Sequence, residues 1–160
     1  MSKEISQTIS NLLLKQKWPG INAITRGDGT MTLLEVELFD DRKYFVAPII
    51  DGAIQSYLNY NEEWLSSFDI FATIQYSKYK VSVGDGSSEE NGIVFVVNVE
   101  DSSLVWFAFF ELSEPFKSVA VDENGCIHAR SAIGVTWKMP IEDPFKIEVD
   151  HHDPSDWRYP

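Results

Sequence analysis

Hydrophobic and polar positions along this chain change period several times, and each change marks an element. Over Ser2–Trp18 the apolar residues Ile5, Ile9, Leu12 and Leu13 recur at helical spacing, with Lys15 and Lys17 near the end where they complement the helix dipole. Pro19-Gly20 stops this helix. Residues 20–29 read as a loop closed by the turn signal Gly27-Asp28-Gly29. In Thr30–Phe39 the period drops to two: Leu34, Val36 and Leu38 alternate with Glu35 and Glu37, one dry face and one wet. Asp40-Asp41-Arg42 then turns the chain into Lys43–Ala47, which predicts a hairpin.

The stretch Asp51–Ser67 carries a helical stripe of Ala53, Ile54, Tyr57 and Leu58, with Asp51 placed to cap it. A further helical turn from Asn61 would set Trp64 and Leu65 on the core. Phe68–Val83 alternates in a way that permits a long strand, with Ile70, Ala72, Ile74 and Tyr76 on one face; a helix over 62–76 fits the same pattern. Gly84–Gly92 is the most loop-like segment. Beyond it Ile93–Val99 and Leu104–Leu112 form a hairpin around Glu100-Asp101-Ser102-Ser103 and are apolar at nearly every position. Strands with two apolar faces belong in the middle of a sheet, covered on both sides. Lys117–Val121 and Cys126–Arg130 flank Asp122-Glu123-Asn124-Gly125, where Asn-Gly is a strong hairpin signal. Ile133–Lys138 and Phe145–Val149 are the remaining strands. Successive hairpins with an N-terminal helix and one further helical segment predict an α+β fold, a mainly antiparallel sheet in a single domain over 1–160.

The composition is that of a well-packed globular chain. The chain is 44% hydrophobic and 13% aromatic, with Trp18, Trp64, Trp106, Trp137 and Trp157 spread along it as packing anchors. One cysteine, Cys126, excludes an internal disulfide. Together with an N-terminus unlike a signal peptide and apolar runs too short to span a bilayer, it points to a cytoplasmic protein.

Charge is distributed less evenly than the apolar residues. The net charge is −12, and it is uneven: residues 1–80 hold 10 acids and 8 bases, residues 81–160 hold 15 acids and 5 bases. Phosphates would be repelled by the second half, which argues against direct binding to nucleic acid or an anionic membrane and is compatible with a basic protein partner. The competing explanation is solubility alone.

No motif for catalysis, a cofactor or a metal stands out. His151 and His152 lie between Asp150 and Asp153, but adjacent residues on an extended chain point to opposite sides. Cys126 and His128 share a strand face, as neighbours two apart do, without the distant partner of a catalytic pair. Glu35 and Glu37 share a face too, the one that alternation marks as solvated. The acidic glycine loops lack the spacing of a calcium loop or a phosphate cradle. What remains is electrostatic: Asp85, Glu89, Glu90, Glu100, Asp101, Asp122 and Glu123 fall in loops between hairpins. In a sheet of side-by-side hairpins, Glu89 and Glu90 would neighbour Asp122 and Glu123, with Glu100 and Asp101 at the opposite end. Such a rim can steer a basic partner, with Trp157 or Tyr159 as candidate anchors.

The run from Trp106 to Phe116, the Val-Ala-Val-Asp-Glu-Asn-Gly hairpin and Trp137-Lys-Met-Pro140, taken with size and acidity, resembles immunity proteins of bacterial polymorphic and contact-dependent toxin systems. The resemblance implies a binding protein without chemistry of its own, which neutralises a cognate basic toxin, such as a nuclease, by covering its active or substrate-binding surface. It carries over no functional residues. Two other readings stay open: a small-ligand-binding α+β domain with an aromatic-lined cavity, and an enzyme assembled from dispersed acids and His128.

Overall fold

The structure, a computed structural model, describes residues 3–38, 44–61 and 65–150. It is an α+β fold of antiparallel sheets, with helices α1 (Lys3–Lys15) and α2 (Ile54–Asn61). The strands are β1 (Lys17–Pro19), β2 (Ala23–Arg26), β3 (Thr30–Leu38), β4 (Tyr44–Ala53), β5 (Leu65–Ser67), β6 (Asp69–Tyr76), β7 (Tyr79–Asp85), β8 (Gly92–Asn98) and β9 (Leu104–Phe110), followed by β10 (Phe116–Val121), β11 (Cys126–Ser131), β12 (Thr136–Pro140) and β13 (Glu148–Asp150). A seven-stranded sheet runs β4-β3-β2-β9-β8-β7-β6, a four-stranded sheet β10-β11-β12-β13, and β1 pairs with β5 in a short ribbon.

Two cores result, one on each face of the large sheet. Val94, Val96, Trp106, Ala108 and Phe110 pack against Phe116, Ile127, Ala129, Trp137 and Met139 of the four-stranded sheet. The buried Trp106 indole donates to the carbonyl of Ile141 at 2.7 Å, so its one polar atom is satisfied. On the other face Phe95, Phe107 and Phe109 pack against Ile9 and Leu12 of α1, Ile54 of α2, Trp18 and Phe68. Trp18 stacks on Phe107 at 4.2 Å between ring centroids, and Phe107 stacks on Phe95 at 5.0 Å. The doubly apolar β8–β9 hairpin therefore occupies the middle of the sheet, as its sequence requires.

Several local expectations change. Residues 20–29 contain β2, which sits between β3 and β9. The four residues of β2 are too few for alternation to register, and Ala23, Ile24 and Thr25 are all buried. Asp51 caps no helix: it lies in β4, where its carboxylate accepts the Thr32 hydroxyl at 2.6 Å. Phe68–Val83 divides into β6 and β7 about Ser77, whose φ of 53° is left-handed. Strict alternation along 104–110 would set Leu104 with Trp106, Ala108 and Phe110; it lies instead with Phe107 and Phe109 because the β8–β9 register slips between Val96 and Val97, a bulge that shifts the alternation by one residue. The Asp40-Asp41-Arg42 turn, the Trp64 turn and the His151-His152 segment fall outside the described residues. No helix among the described residues is long and apolar enough to cross a membrane.

Candidate functional site

One end of the large sheet gathers carboxylates. Asp85 ends β7, the loop carrying Glu89 and Glu90 leads to Gly92 at the start of β8, and Glu111 and Glu114 follow the end of β9. Asp69, at the start of β6, stands directly opposite Asp85 in the antiparallel register. The loops are tied together by backbone and amide contacts. The Glu114 N–H donates to the Glu90 carbonyl at 2.9 Å, and the Asn91 amide donates to the Glu111 carbonyl at 3.1 Å. Asn22 and Glu111 bracket each other: the Glu111 N–H donates to Asn22 Oδ1 at 2.6 Å and the Asn22 N–H to Glu111 Oε2 at 3.2 Å.

This arrangement raises the proton affinity of two acids. Burial pushes the Glu114 carboxyl up, and the charges of Glu90 and Glu89 push it further. Asp85 is raised first by burial and then by Asp69, with Lys117 partly offsetting the effect. The ion pairs Asp122–His128, Asp150–Lys138 and Asp143–Lys146 lie elsewhere, on or beside the four-stranded sheet. Leu112, Ile70 and Phe71 stand at the acidic end with exposed apolar surface.

The other acidic loop residues are placed differently from the expected rim. Glu100 and Asp101 occupy the β8–β9 turn at the far end of the sheet. Asp122 and Glu123 lie at that far end too, since Tyr76, next to the β6–β7 turn, donates its hydroxyl to the Glu123 carbonyl at 3.2 Å. The same β6–β7 turn accepts the Val99 N–H at the Lys78 carbonyl, 2.9 Å away. Glu89 and Glu90 thus neighbour Glu111 and Glu114 instead of Asp122 and Glu123. The cause is topological: after β9 the chain leaves the large sheet at Ser113-Glu114-Pro115 and begins a second sheet, so the hairpins do not continue side by side. Glu111 and Glu114 belong to the acid-rich stretch of the sequence, but only the sheet order reveals that Asp69 joins them.

Two far-end acids are committed to their own turns. Asp101 accepts both the hydroxyl and the N–H of Ser103, at 2.6 and 3.0 Å, and these bonds hold its carboxyl below the usual range. Asp122 is lowered by the Cys126 N–H and then by His128, whose Nε2 lies 3.0 Å from Asp122 Oδ2. Asp122, Cys126 and His128 come together at this hairpin, their donor atoms all within 4.8 Å of one another. Trp157 and Tyr159 lie outside the described residues.

Shallow cavities, open to solvent, lie at the surface. The one beneath α1 holds about 340 Å³, with Leu13, Leu14, Phe68, Phe95 and Val97 as its apolar walls and Lys80 among its polar ones. The large aromatic rings of both cores pack on each other. Comparison of the chain with protein-family models, with curated proteins and with solved structures finds no match.

Proposed function

We propose that this chain is an acidic binding protein of the immunity type, which neutralises a cognate basic toxin by covering its active or substrate-binding surface. The observation that carries this reading is the gathering of Asp69, Asp85, Glu89, Glu90, Glu111 and Glu114 at one sheet end, where two of the carboxyls have raised proton affinity. Like charges held together by a rigid scaffold repel one another in the free protein, and a cationic surface relieves that repulsion on contact. Charge of this kind contributes chiefly on-rate and selectivity. Residence time needs an apolar centre, and the exposed Leu112 and Phe71 beside the acids are suited to supply it. The acids of the far end, Glu100, Asp101, Asp122 and Glu123, have no part in this surface.

The test uses the product of the gene beside this chain's own, expressed as an inactivated protein. Its association with the wild type is expected to slow by about 10- to 1000-fold between low and high salt. A Glu89→Gln/Glu90→Gln/Glu114→Gln variant should show the slow rate at low salt already, and should fail to protect cells from the active form. A partner that binds both proteins equally fast at every ionic strength rules out the acidic-end mechanism. The absence of any basic partner encoded there rules out the immunity reading.

A further inference from the structure

The hairpin between β10 and β11 is built in a way that serves more than a turn. The Gly125 N–H donates to the Asp122 carbonyl and the Asp122 N–H to the Cys126 carbonyl, both at 3.0 Å, and Gly125 has φ +77°. This is a three-residue loop, a type I turn followed by a glycine in the left-handed region. The extra residue swings Asp122 beside Cys126 and His128, which already share the outer face of β11. One carboxylate oxygen of Asp122 accepts the N–H groups of Asn124 and Cys126, at 2.9 and 3.0 Å. Those two bonds orient the carboxylate and leave Oδ2 facing His128 Nε2 at 3.0 Å.

We propose that Asp122 Oδ2, Cys126 Sγ and His128 Nε2 form a three-ligand site for a thiophilic divalent transition metal ion, zinc fitting best. A thiolate with an imidazole is the donor set that selects zinc over magnesium or calcium. Zinc holds sulfur at about 2.3 Å and nitrogen or oxygen at about 2.0–2.2 Å, which sets its ligands roughly 3–4 Å apart. Asp122 and His128 meet that spacing as they stand. Cys126 Sγ lies within 4.8 Å of both and closes the remainder by a side-chain rotation, which its half-exposed position permits. With the thiol proton released to solvent, one carboxylate and one thiolate neutralise the ion, and water takes the fourth position on the open side. The Asn124 and Cys126 N–H groups on Asp122 Oδ1 act as the outer layer that such sites need to keep a ligand in place. The metal site stands at the far end of the sheet, and its existence does not depend on the binding function proposed above.

Cobalt(II) added to the metal-free, reduced full-length chain reports this site directly, because Cys126 is the only cysteine of the sequence. The expected result is one equivalent bound, with a thiolate-to-cobalt charge-transfer band and the intense visible bands of four-coordination, both abolished by zinc. Cys126→Ser should remove the charge-transfer band. His128→Asn and Asp122→Asn should each weaken binding at least 10-fold, with far-ultraviolet circular dichroism confirming that each variant is folded. Cobalt binding without the charge-transfer band, or retention of wild-type affinity by Cys126→Ser, overturns the proposal and leaves Asp122–His128 as a brace for the hairpin.

Discussion

Asp69 and Asp85 face each other directly across the β6–β7 pair, two acids in a position where the sheet favours opposite charges. Burial and the Asp69 charge raise the Asp85 carboxyl above its usual range, and Lys117 offsets only part of this. A raised carboxyl stabilises the fold while protonated; that contribution is present below the usual carboxylate range and is lost as pH rises through the folded value. Asp85→Asn should therefore be nearly neutral at about pH 3 and stabilising by a few tenths to about 1 kcal/mol at about pH 7. Urea unfolding of both proteins across that range measures the difference. A variant that is less stable at neutral pH would show that the contacts made by the Asp85 carboxylate outweigh its burial and the Asp69 charge.

The aromatic stack on the helical face gives a prediction of another kind. Phe107 is fully buried and touches Trp18, Phe95 and Phe68 at ring-centroid distances of 4.2, 5.0 and 5.2 Å. Phe107→Ala removes the ring around which the others pack and should cost about 3–5 kcal/mol. Phe107→Leu, closer in volume, should cost clearly less. Denaturant midpoints at constant slope distinguish the two, and equal losses would indicate that the ring contacts, not the volume they fill, carry the stabilisation.

Gly84 is set by close approach to its neighbour strand. A Cβ at this position would lie 1.8 Å from the Asp69 carbonyl oxygen and 2.8 Å from its carbon, so β6 would have to move. Gly84→Ala should destabilise by at least about 1–3 kcal/mol and should shift the backbone amide resonances of Asp69 and Ile70. Unchanged amides at both positions would refute the contact.

Gly125 is set by its backbone instead. Its φ of +77° disfavours any residue with a Cβ, whereas its neighbours would tolerate one, the nearest atom to such a Cβ being Tyr76 Cε1 at 3.7 Å, an ordinary van der Waals distance. Gly125→Ala should cost roughly 1–2 kcal/mol and Gly125→Asn less, since Asn tolerates the left-handed region. Thermal unfolding ranks the three proteins; an alanine variant as stable as wild type would mean that the turn can adopt another geometry.

Sequence patterning identified elements well where one period held for several residues. The α1 stripe of Ile5, Ile9, Leu12 and Leu13 packs on the sheet, and the doubly apolar strands around Phe95 and Phe107 are central. It failed where the information was non-local. The four residues of β2 carry no readable period, and the bulge that moves Leu104 to the other face arises from pairing with β8. For the acidic surface, the sequence located the loop acids and their excess but not which sheet end each would occupy.

From the sequence alone follow the α+β class, the hairpin at Asn124-Gly125, the central place of β8 and β9, and the acidity of the second half. These depend on side-chain period, turn chemistry and charge, which neighbours along the chain determine. Packing of the whole chain sets the change of sheet after Phe110, the meeting of Asp69 with Asp85, and the placement of Asp122 beside Cys126 and His128. Those outcomes depend on which strands bury their apolar faces against one another, a choice made by the packed chain as a whole and recorded at no single position.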